Sequence, residues 1–229
     1  MNIQQGDYRE HIQSQTPIQA IITDPPYNTT GCSWDGKFNA KEFWQTITPL
    51  LAERATVILS AQMRLAVELI NTSTIDFRHD LVWEKPNGTG QVRYSPNRCH
   101  EQILVFGKGA PVYNAQMTQG KPYTWSSTRS KGEATGYSGS GTINNTGTRH
   151  PRSVLRIKQE RGLHPTQKPK ELWEFLIRSY TLPNWKIIDP FAGSGTTAVV
   201  CNQISRDYWV CEQNPDYIDT IKQRFEQNR

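Results

Sequence analysis

The sequence lacks several features that would each define a class of protein. No apolar run approaches the ~20 residues that a membrane-spanning helix needs. The N-terminal stretch MNIQQGDYRE has no basic segment followed by an apolar one, so we expect no secretory signal. The cysteines form no C-x-x-C pair and no Cys/His cluster, which argues against zinc and favours reduced thiols at Cys32, Cys99, Cys201 and Cys211. These absences predict a cytoplasmic protein without a metal.

Acidic residues are scarce in one part of the chain. Residues 108–170 contain 11 Lys and Arg but only 2 Asp and Glu, whereas the rest of the 229 residues contains 15 against 19. The formal net charge of +5 is therefore concentrated in one segment. A basic segment on a mildly acidic body indicates a polyanionic partner such as nucleic acid, and a solvated basic loop is the alternative.

The apolar residues come in short runs that alternate with longer amphipathic stretches. Strand-like runs, rich in β-branched and aromatic residues and typical of strands covered on both faces, lie at 18–23, 55–60, 79–84, 102–106, 185–189 and 208–212. Helix-like stretches lie at 43–53, 61–71, 169–180 and 214–226. Pro169 and Pro215 are each expected at a first helical position, the latter capped by Asn214. This alternation predicts an α/β sheet with helices on both faces.

Residues 108–160 interrupt the alternation. The stretch KGEATGYSGSGTINNTGTRH, residues 131–150, contains five glycines and many Ser, Thr and Asn, so it cannot build a core of its own. We therefore predict an insertion between two halves of one domain, at 1–107 and 161–229.

The stretch IITDPPY, residues 21–27, ends its strand abruptly. Pro25 and Pro26 have no N–H for a sheet ladder and fix φ, so the backbone stops in one geometry. At that point Asp24 supplies a carboxylate and Tyr27 an aromatic ring. We interpret this strand end as a functional site.

A second stretch, IIDPFAGSGTT at 187–197, runs from a strand ending in Asp189 through a glycine turn into a helix. Gly193 and Gly195 are expected to let a ligand approach the backbone near free helix N–H groups, and close packing of the helix is the alternative. Seventeen residues after Gly195 the next strand ends in Glu212, where dinucleotide folds hold ribose hydroxyls. The ligand should contain a ribose, as NAD and S-adenosylmethionine do, and nothing resembles a hydride-transfer site. Asp189 could balance the positive charges of S-adenosylmethionine.

DPPY followed by DPFAGSGTT resembles the β group of amino-methylating DNA methyltransferases, in which the catalytic motif precedes the cofactor motif. QQGD (4–7), DLVWEKPNGTG (80–90), NRCHEQILVFGKG (97–109) and GLHPTQKP (162–169) resemble further family segments in the same order. The resemblance implies a three-layer αβα, Rossmann-like methyltransferase sheet with a circularly permuted motif order, and a bacterial or phage origin. The small Gly-rich basic insertion falls where the family carries its target-recognition region.

The resemblance implies an S-adenosylmethionine-dependent methyltransferase that methylates a flipped-out adenine N6 of double-stranded DNA by direct in-line attack. Asp24 and the Pro25 carbonyl would accept the amine hydrogens, Pro26 would help to fix the backbone, and Tyr27 would stack on the base. No strong general base is needed, because the nitrogen becomes acidic as it is methylated. The residues implied for the cofactor are Asp7, Thr166, Gln167, Lys168, Asp189, Phe191, Ala192, Gly193, Ser194, Gly195, Thr196, Thr197 and Glu212.

Several alternatives stay open at this point. Asp in the catalytic motif goes mostly with adenine and Ser mostly with N4-cytosine in the family, so cytosine-N4 methylation and a non-catalytic DNA-binding relative remain alternatives. Trp34 and Phe38 could line a base pocket or pack in the core, and adjacent His100 and Glu101 are expected to be structural because they face opposite ways on a strand. A homodimer and a restriction partner are also left open. Aromatic and cationic residues that suit DNA contacts are Tyr123, Trp125, Arg129, Lys131, Arg149, Arg152 and Arg156.

Overall fold

A computed structural model of the chain describes residues 2–27, 38–89, 93–127, 141–160, 162 and 167–226. The chain divides into two units, Met1–Asn114 with Ser153–Arg229, and Ala115–Arg152. The described strands are β1 (Ile3–Gln5), β2 (Ile18–Thr23), β3 (Leu51–Ala61), β4 (Asp76–Thr89), β5 (Arg98–Lys108), β6 (Thr118–Gln119), β7 (Tyr123–Ser127), β8 (Gly141–Asn145), β9 (Thr148–Arg149), β10 (Val154–Arg156), β11 (Ile187–Asp189) and β12 (Tyr208–Glu212). The α-helices are α1 (Tyr8–His11), α2 (Ala40–Ile47), α3 (Met63–Thr72), α4 (Lys170–Tyr180), α5 (Thr196–Gln203) and α6 (Pro215–Glu226), and short 3-10 turns cover Ile12–Gln15 and Thr48–Leu50.

The first unit is built on one eight-stranded sheet in the order β1-β12-β11-β2-β3-β5-β4-β10. Every neighbouring pair is parallel except the two that β5 makes with β3 and β4. The carboxyl ends of β1, β12, β11, β2, β3 and β4 therefore share one edge of the sheet, and β5 begins at that edge. In open α/β sheets ligands bind outside the carboxyl ends of the strands, so a ligand site is expected at this edge.

Alternate residues of the central strands enter two different hydrophobic clusters, as expected for a sheet covered on both faces. In β5, Leu104 and Phe106 pack in a cluster with residues of α2 and α3, whereas Ile103 and Val105 pack with residues of α4 and α5. A smaller cluster joins α5 and α6 through residues such as Ala198. The predicted αβα, Rossmann-like fold is confirmed.

The six predicted strands are all present, but one predicted helix was extended too far. The stretch 43–53 is helical only to Ile47, where α2 ends, and Leu51 already pairs with Ile18 as the first residue of β3. The reason is Pro49, which has no N–H to continue the α-helical hydrogen bonds, so the helical backbone at Thr48 passes into the 3-10 turn over Thr48–Leu50. Pro169 is the cap residue of α4 and not its first helical residue, whereas Pro215 begins α6 as predicted.

The second unit contains two small antiparallel pairs, β6 with β9 and β7 with β8. It is shorter than the predicted insertion at 108–160, because β10 within that range pairs in parallel with β4 in the sheet of the first unit. Leu155 is buried there, and Trp83 Nε1 donates to the carbonyl oxygen of Ile157 over 2.9 Å. In the described part of the chain, no helix combines the length and the apolarity needed to cross a membrane.

Candidate active site

A carboxylate stands at the end of each of four neighbouring parallel strands. Asp7 lies two residues past β1, Glu212 ends β12, Asp189 ends β11, and Asp24 directly follows β2. Because these strands are adjacent and parallel, the four acidic residues line one edge of the sheet. Acids predicted from separate segments of the sequence are therefore neighbours in the fold, as a shared site would require.

The turn after β2, residues 24–27, is named here the catalytic turn after its predicted role. Hydrogen bonds to the carboxylate of Asp24 hold it in place. Asp24 accepts the Tyr27 hydroxyl on Oδ1 and the Lys168 ammonium on Oδ2. The Tyr27 hydroxyl also lies 2.9 Å from Ser60 Oγ and 3.4 Å from Glu101 Oε2. Burial raises the pKa of Asp24, although the Lys168 ammonium opposes that rise. Tyr27, predicted as a stacking ring, thus also fixes Asp24 through its hydroxyl.

Glu101 is the centre of the same buried network. Its Oε1 accepts the ammonium of Lys85, and its Oε2 lies 3.3 Å from the ammonium of Lys168. Burial acts to raise the pKa of Glu101, but the two ammonium groups outweigh it and hold that pKa at about 2. For Lys168, burial likewise opposes the charged form, and Asp24 with Glu101 more than compensates, so its pKa is raised. Two carboxylates and two ammonium groups therefore form a cluster without net charge.

Sequence reasoning missed part of this network. The expectation that Glu101 and His100 face opposite ways is correct, since Glu101 is buried and His100 exposed, but the buried Glu101 contacts a candidate catalytic residue. Lys85 and Ser60 were not singled out, and Lys168 was expected on the cofactor side alone. One signal was present: Lys85 lies just after the apolar run of β4, and Glu101 lies just before the apolar run of β5.

Asp189 joins four elements of the fold. Its carboxylate accepts the Thr23 hydroxyl over 2.5 Å, the Thr197 hydroxyl, and the Phe191 N–H over 3.1 Å. Trp173 Nε1 in turn donates to Thr197 Oγ1 over 2.6 Å, which adds α4 to the junction. Burial raises the pKa of Asp189 to about 6, against the effect of these donors. Asp189 therefore has a structural task beside the charge-balancing role suggested by the sequence.

The glycine turn is shaped largely by the chain's own packing. The N–H of Gly193 donates to Glu212 Oε2 over 2.8 Å, and the carbonyl of Ser194 accepts from Arg224 over 2.7 Å. Gly195 caps α5 with φ at +78°, and a Cβ added there would lie 2.6 Å from Cγ1 of Ile221. The packing alternative thus explains Gly195, which was predicted to serve the approach of a ligand.

Glu212 keeps acceptor capacity that a ligand can use. Its Oε2 accepts the Gly193 N–H and its Oε1 accepts the Asn214 N–H, each over 2.8 Å. A carboxylate has about four lone-pair sites, and with the backbone N–H of Gln213 as a third donor about one of them remains. Burial raises the pKa of Glu212, although these backbone donors act in the opposite direction. The side chain can therefore still accept a hydroxyl donor, as its predicted role requires.

Asp7 begins the short helix α1. Its Oδ1 accepts the Arg9 N–H over 3.0 Å, and the Arg9 guanidinium contacts both of its oxygens and, over 2.6 Å, Glu42 Oε1. Hydrogen bonding to Arg9 lowers the pKa of Asp7, so the carboxylate is ionised. An ionised acceptor at the end of β1 is compatible with its predicted position beside the cofactor.

An aromatic cluster lies behind the glycine turn. Phe191 makes edge-to-face contacts with Tyr8 at 5.0 Å and Phe38 at 5.7 Å between ring centroids. Phe38 also packs against Phe43, so it belongs to the hydrophobic cluster with α2. Ala192 is buried, and its N–H donates to the Cys211 carbonyl over 2.9 Å. These contacts anchor the turn to the core.

The segment before α4 brings a polar acceptor to the same edge. Thr196 Oγ1 donates to the Lys168 carbonyl over 3.2 Å and so ties this segment to the start of α5. Gln167 is buried, and its Nε2 donates to Glu160 Oε2 over 3.3 Å. Its Oε1 is buried and has no hydrogen-bond partner among the described residues. A buried acceptor without a donor costs about 1–3 kcal/mol, and such an acceptor is compatible with the predicted position of Gln167 beside the cofactor.

Four of the predicted DNA contacts lie in the described part of the second unit, or next to it. Tyr123 and Trp125 share one exposed face of the β7–β8 pair with Ile143, Trp125 being 50% exposed. The Arg149 guanidinium is instead bonded to its own unit, at the carbonyls of Thr148 and Lys121, and lies 4.6 Å from the Tyr123 ring centroid. Arg152 is exposed.

Arg156 belongs to β10 in the first unit and pairs with Glu84 at 2.9 Å. Its charge is therefore partly compensated, which separates it from the other predicted DNA contacts. Thr166, Arg129, Lys131 and Trp34 lie outside the described residues. Within those residues, no group of three or more His, Cys, Asp or Glu side chains could hold a metal ion.

A family model described as DNA methylase, N6_N4_Mtase, matches residues 18–223. The chain belongs to this family. The type II methyltransferase M.Cfr9I of Citrobacter freundii is 33% identical over 150 residues, which are 65% of the chain and 44% of that relative. M1.MboII of Moraxella bovis, also a type II methyltransferase, is 24% identical and covers 93% of the chain and 90% of its own length. The chain spans under half the length of the first of these relatives.

Solved structures of low sequence identity to the chain share its fold. A complex of M1.HpyAVI with SAM has a TM-score of 0.68 at 24% identity and covers 97% of the chain and 98% of its own. The PvuII DNA methyltransferase, described as cytosine-N4-specific, has a TM-score of 0.69 at 17% identity, covering 97% and 85%. These likenesses establish the Rossmann-like architecture and do not distinguish which amine is methylated.

Proposed function

We propose that the chain is an S-adenosylmethionine-dependent methyltransferase that acts on adenine N6 in double-stranded DNA, in the cytoplasm of a bacterium or of a phage host. The observation that carries the proposal is the hydrogen bond between Thr23 and Asp189. It fixes Asp24, the acceptor for a substrate amine, beside the glycine turn at the end of the neighbouring strand. Family membership supports the same reaction class.

The residues at the strand ends fit S-adenosylmethionine. Gln167 Oε1 is a buried acceptor that lacks a donor among the described residues, and the amino group of the cofactor is such a donor. Glu212 has acceptor capacity left for a ribose hydroxyl, and Asp7 offers an ionised acceptor to the adenine end. S-adenosylmethionine supplies a methyl group already activated by its sulfonium. Gln167, Glu212, Asp7 and the glycine turn would hold it.

The substrate amine needs acceptors that localise its lone pair, and the catalytic turn offers two. Asp24 and the carbonyl of Pro25 would each accept one N–H, and the prolines keep that carbonyl in one direction. The Asp24 oxygens are already bonded by Tyr27 and Lys168. Lys168 has a second acceptor in Glu101 at 3.3 Å, so it can turn to Glu101 without losing a charged partner when the amine arrives.

The amine must also lose a proton once its nitrogen is methylated. Burial raises the pKa of Asp24, so this carboxylate is a better proton acceptor than an exposed one. The Tyr27 hydroxyl and the Lys168 ammonium both donate to the Asp24 oxygens and so favour its ionised form, which is the form that accepts the amine hydrogens and then the proton. Asp24 thus orients the amine before transfer and accepts its proton afterwards.

Adenine is proposed as the base because Asp stands in the catalytic motif. The second candidate, cytosine N4, is favoured by one observation, the likeness in fold to an enzyme described as cytosine-N4-specific. For DNA contacts we propose the second unit as target-recognition region, on the exposure of Trp125 and Arg152. A homodimer is a further proposal that light scattering of the purified chain would test.

The experiment incubates duplex DNA with the chain and methyl-labelled S-adenosylmethionine and digests the product to nucleosides. We expect label in N6-methyl-2′-deoxyadenosine. Label in N4-methyl-2′-deoxycytidine supports the second candidate instead, and no label contradicts both. Asp24→Ala should abolish transfer while binding of S-adenosylhomocysteine stays within a few fold. Asp219→Ala removes an exposed carboxylate of α6 and is the matched control. Loss of cofactor binding in Asp24→Ala would overturn the role given to Asp24.

A further inference from the structure

The β4–β5 hairpin projects beyond the edge of the sheet that carries the site. β3 ends at Ala61, which pairs with Gln102, but β5 begins four residues earlier at Arg98, and Arg98 pairs with Thr89 at the end of β4. At ~3.3 Å per residue the overhang is roughly 10 Å or more. We name residues 85–89 and 93–100 the hairpin end.

The hairpin end is basic and carries no acid. From Lys85 to His100 the sequence contains Lys85, Arg93 and Arg98 but neither Asp nor Glu. Lys85 forms an ion pair with Glu101, whereas Arg93 and Arg98 are exposed. Considering the described side chains alone, no carboxylate forms an ion pair with either guanidinium. Cationic side chains that have no anionic neighbours indicate a polyanionic partner.

The geometry of the hairpin end presents these cations to a ligand. Arg98 Nη1 donates to Gln62 Oε1 over 3.1 Å, which anchors its side chain at the start of α3 and leaves its other N–H groups available. The Arg93 guanidinium lies 5.6 Å from the ring centroid of Tyr94, a ring that is 76% exposed. An aromatic ring beside an arginine can contact a base or a sugar as well as a phosphate.

The hairpin end is next to the proposed catalytic residues. Glu101 follows Arg98 by three residues in β5 and contacts Tyr27 and Lys168. Along the strand, Arg98 is therefore about 10 Å from the network around Asp24. Phosphates that flank an extruded base must pass close to the site that receives the base, so a cation at this distance can bind them and fix the register.

We propose that the hairpin end binds the DNA backbone beside the active site, with Arg93 and Arg98 on phosphates. The inference rests on the proposed function for its choice of ligand, and it adds a DNA surface in the first unit that is separate from the second unit. A protein partner fits less well, because Tyr94 is the one large exposed hydrophobic side chain among the described residues of the hairpin end. Stable protein interfaces need about 800 Å² per partner with an apolar centre.

The test measures binding of a fluorescent duplex by anisotropy at several salt concentrations, for wild type and for Arg93→Gln/Arg98→Gln. Each lost phosphate contact reduces the slope of log K against log salt by about 0.9, so we expect a reduction of about 1.8. The matched control, Arg178→Gln/Lys222→Gln, removes two exposed cations from α4 and α6 and should keep the slope. Arg93→Lys/Arg98→Lys keeps the positive charges and should retain most of the wild-type slope.

A slope in the double glutamine variant equal to that of the control overturns the inference, and so does a wild-type chain that does not bind duplex DNA. A change in particle mass by light scattering, with the slope unchanged, assigns the hairpin end to a protein contact instead. The methyl-transfer assay is run in parallel on the wild type. DNA binding without methyl transfer contradicts the proposed activity, but the salt slopes of the variants still test the hairpin end.

Discussion

The hydroxyl of Thr23 donates a 2.5 Å hydrogen bond to the carboxylate of Asp189, a residue 166 positions away in the sequence. Thr23 immediately precedes the candidate catalytic Asp24, and Asp189 opens the glycine turn. The two motifs that define the family are thus joined by one buried contact between adjacent strands β2 and β11. A change at this contact should affect the stability of the fold and the position of the catalytic turn together.

Thr23→Val tests that contact, since valine has the shape of threonine without the donor. A buried carboxylate that loses a donor costs about 1–3 kcal/mol in the free energy of unfolding. Displacement of the neighbouring Asp24 should lower single-turnover methyl transfer by about 10-fold to 100-fold. Thr23→Ser retains the hydroxyl and serves as control. Wild-type stability and rate in Thr23→Val would mean that the contact has no energetic role.

Lys85→Met should be strongly destabilising, because Glu101 then keeps only one of its two ammonium partners in a buried position. Removing one partner of a buried ion pair costs about 3–5 kcal/mol. Adding Glu101→Gln removes the uncompensated charge and should recover a large part of that loss. Urea unfolding of the wild type, Lys85→Met, Glu101→Gln and the double variant measures the coupling, and strictly additive losses of unfolding free energy would contradict a coupled network.

The stability of the protein should depend on pH through Asp189. Its pKa rises from 3.8 to about 6 on folding, so the folded state holds a proton that the unfolded state has released. The corresponding stability is fully present below pH 3.8 and is lost as the pH rises through about 6, by at most about 3 kcal/mol. Asp189→Asn should flatten this decline.

The comparison of wild type with Asp189→Asn isolates this contribution between pH 4.5 and 6.5, because the raised pKa values of Asp24 and Glu212 act alike in both proteins, whereas the effect of Glu101 has the opposite sign and a lower range. Its pKa falls from 4.5 to about 2 on folding, so its contribution is complete above pH 4.5 and is lost towards pH 2. Urea unfolding free energies are compared for wild type and Asp189→Asn across the window. Parallel curves would show that Asp189 is ionised in the folded state throughout.

Two arginines of the second unit should behave differently on removal of their charge. Arg152 is exposed, so Arg152→Gln should reduce the salt slope of DNA binding by about 0.9 with little effect on melting. Arg149 is bonded to carbonyls of its own unit and packs on Tyr123, so Arg149→Gln should lower the melting temperature of that unit. Each variant is the control for the other. A changed salt slope in Arg149→Gln together with a lower melting temperature in Arg152→Gln would exchange the roles given to the two arginines.

The sheet and both motif positions were predictable because their signals are local. Runs such as 18–23 and 208–212 are short, apolar and β-branched, and Asp24 and Asp189 follow such runs directly, so both strand ends could be located without knowing the sheet order. The helix predicted at 43–53 was too long, because the helical spacing of apolar residues continues past Pro49 whereas the α-helical backbone does not.

The network around Glu101 was not predictable in the same way. Lys85, Glu101 and Lys168 come from three separate segments, and each has an ordinary local explanation as a surface or strand residue. They meet because β5 runs antiparallel to its neighbours, which brings its first buried residue to the edge where the other strands end. Likewise, the need for glycine at 195 depends on Ile221 of a helix that begins twenty residues later.

The strand order also has a consequence for how the protein is made. β1 and β2 precede β11 and β12 in the chain but are separated by them in the finished sheet. Until β11 has been synthesised, β2 lacks its neighbour on that side, and β1 lacks its partner until β12 follows; such open edges favour association between incomplete chains. The nascent chain therefore contains the turn after β2 long before it has the strand that holds that turn in place.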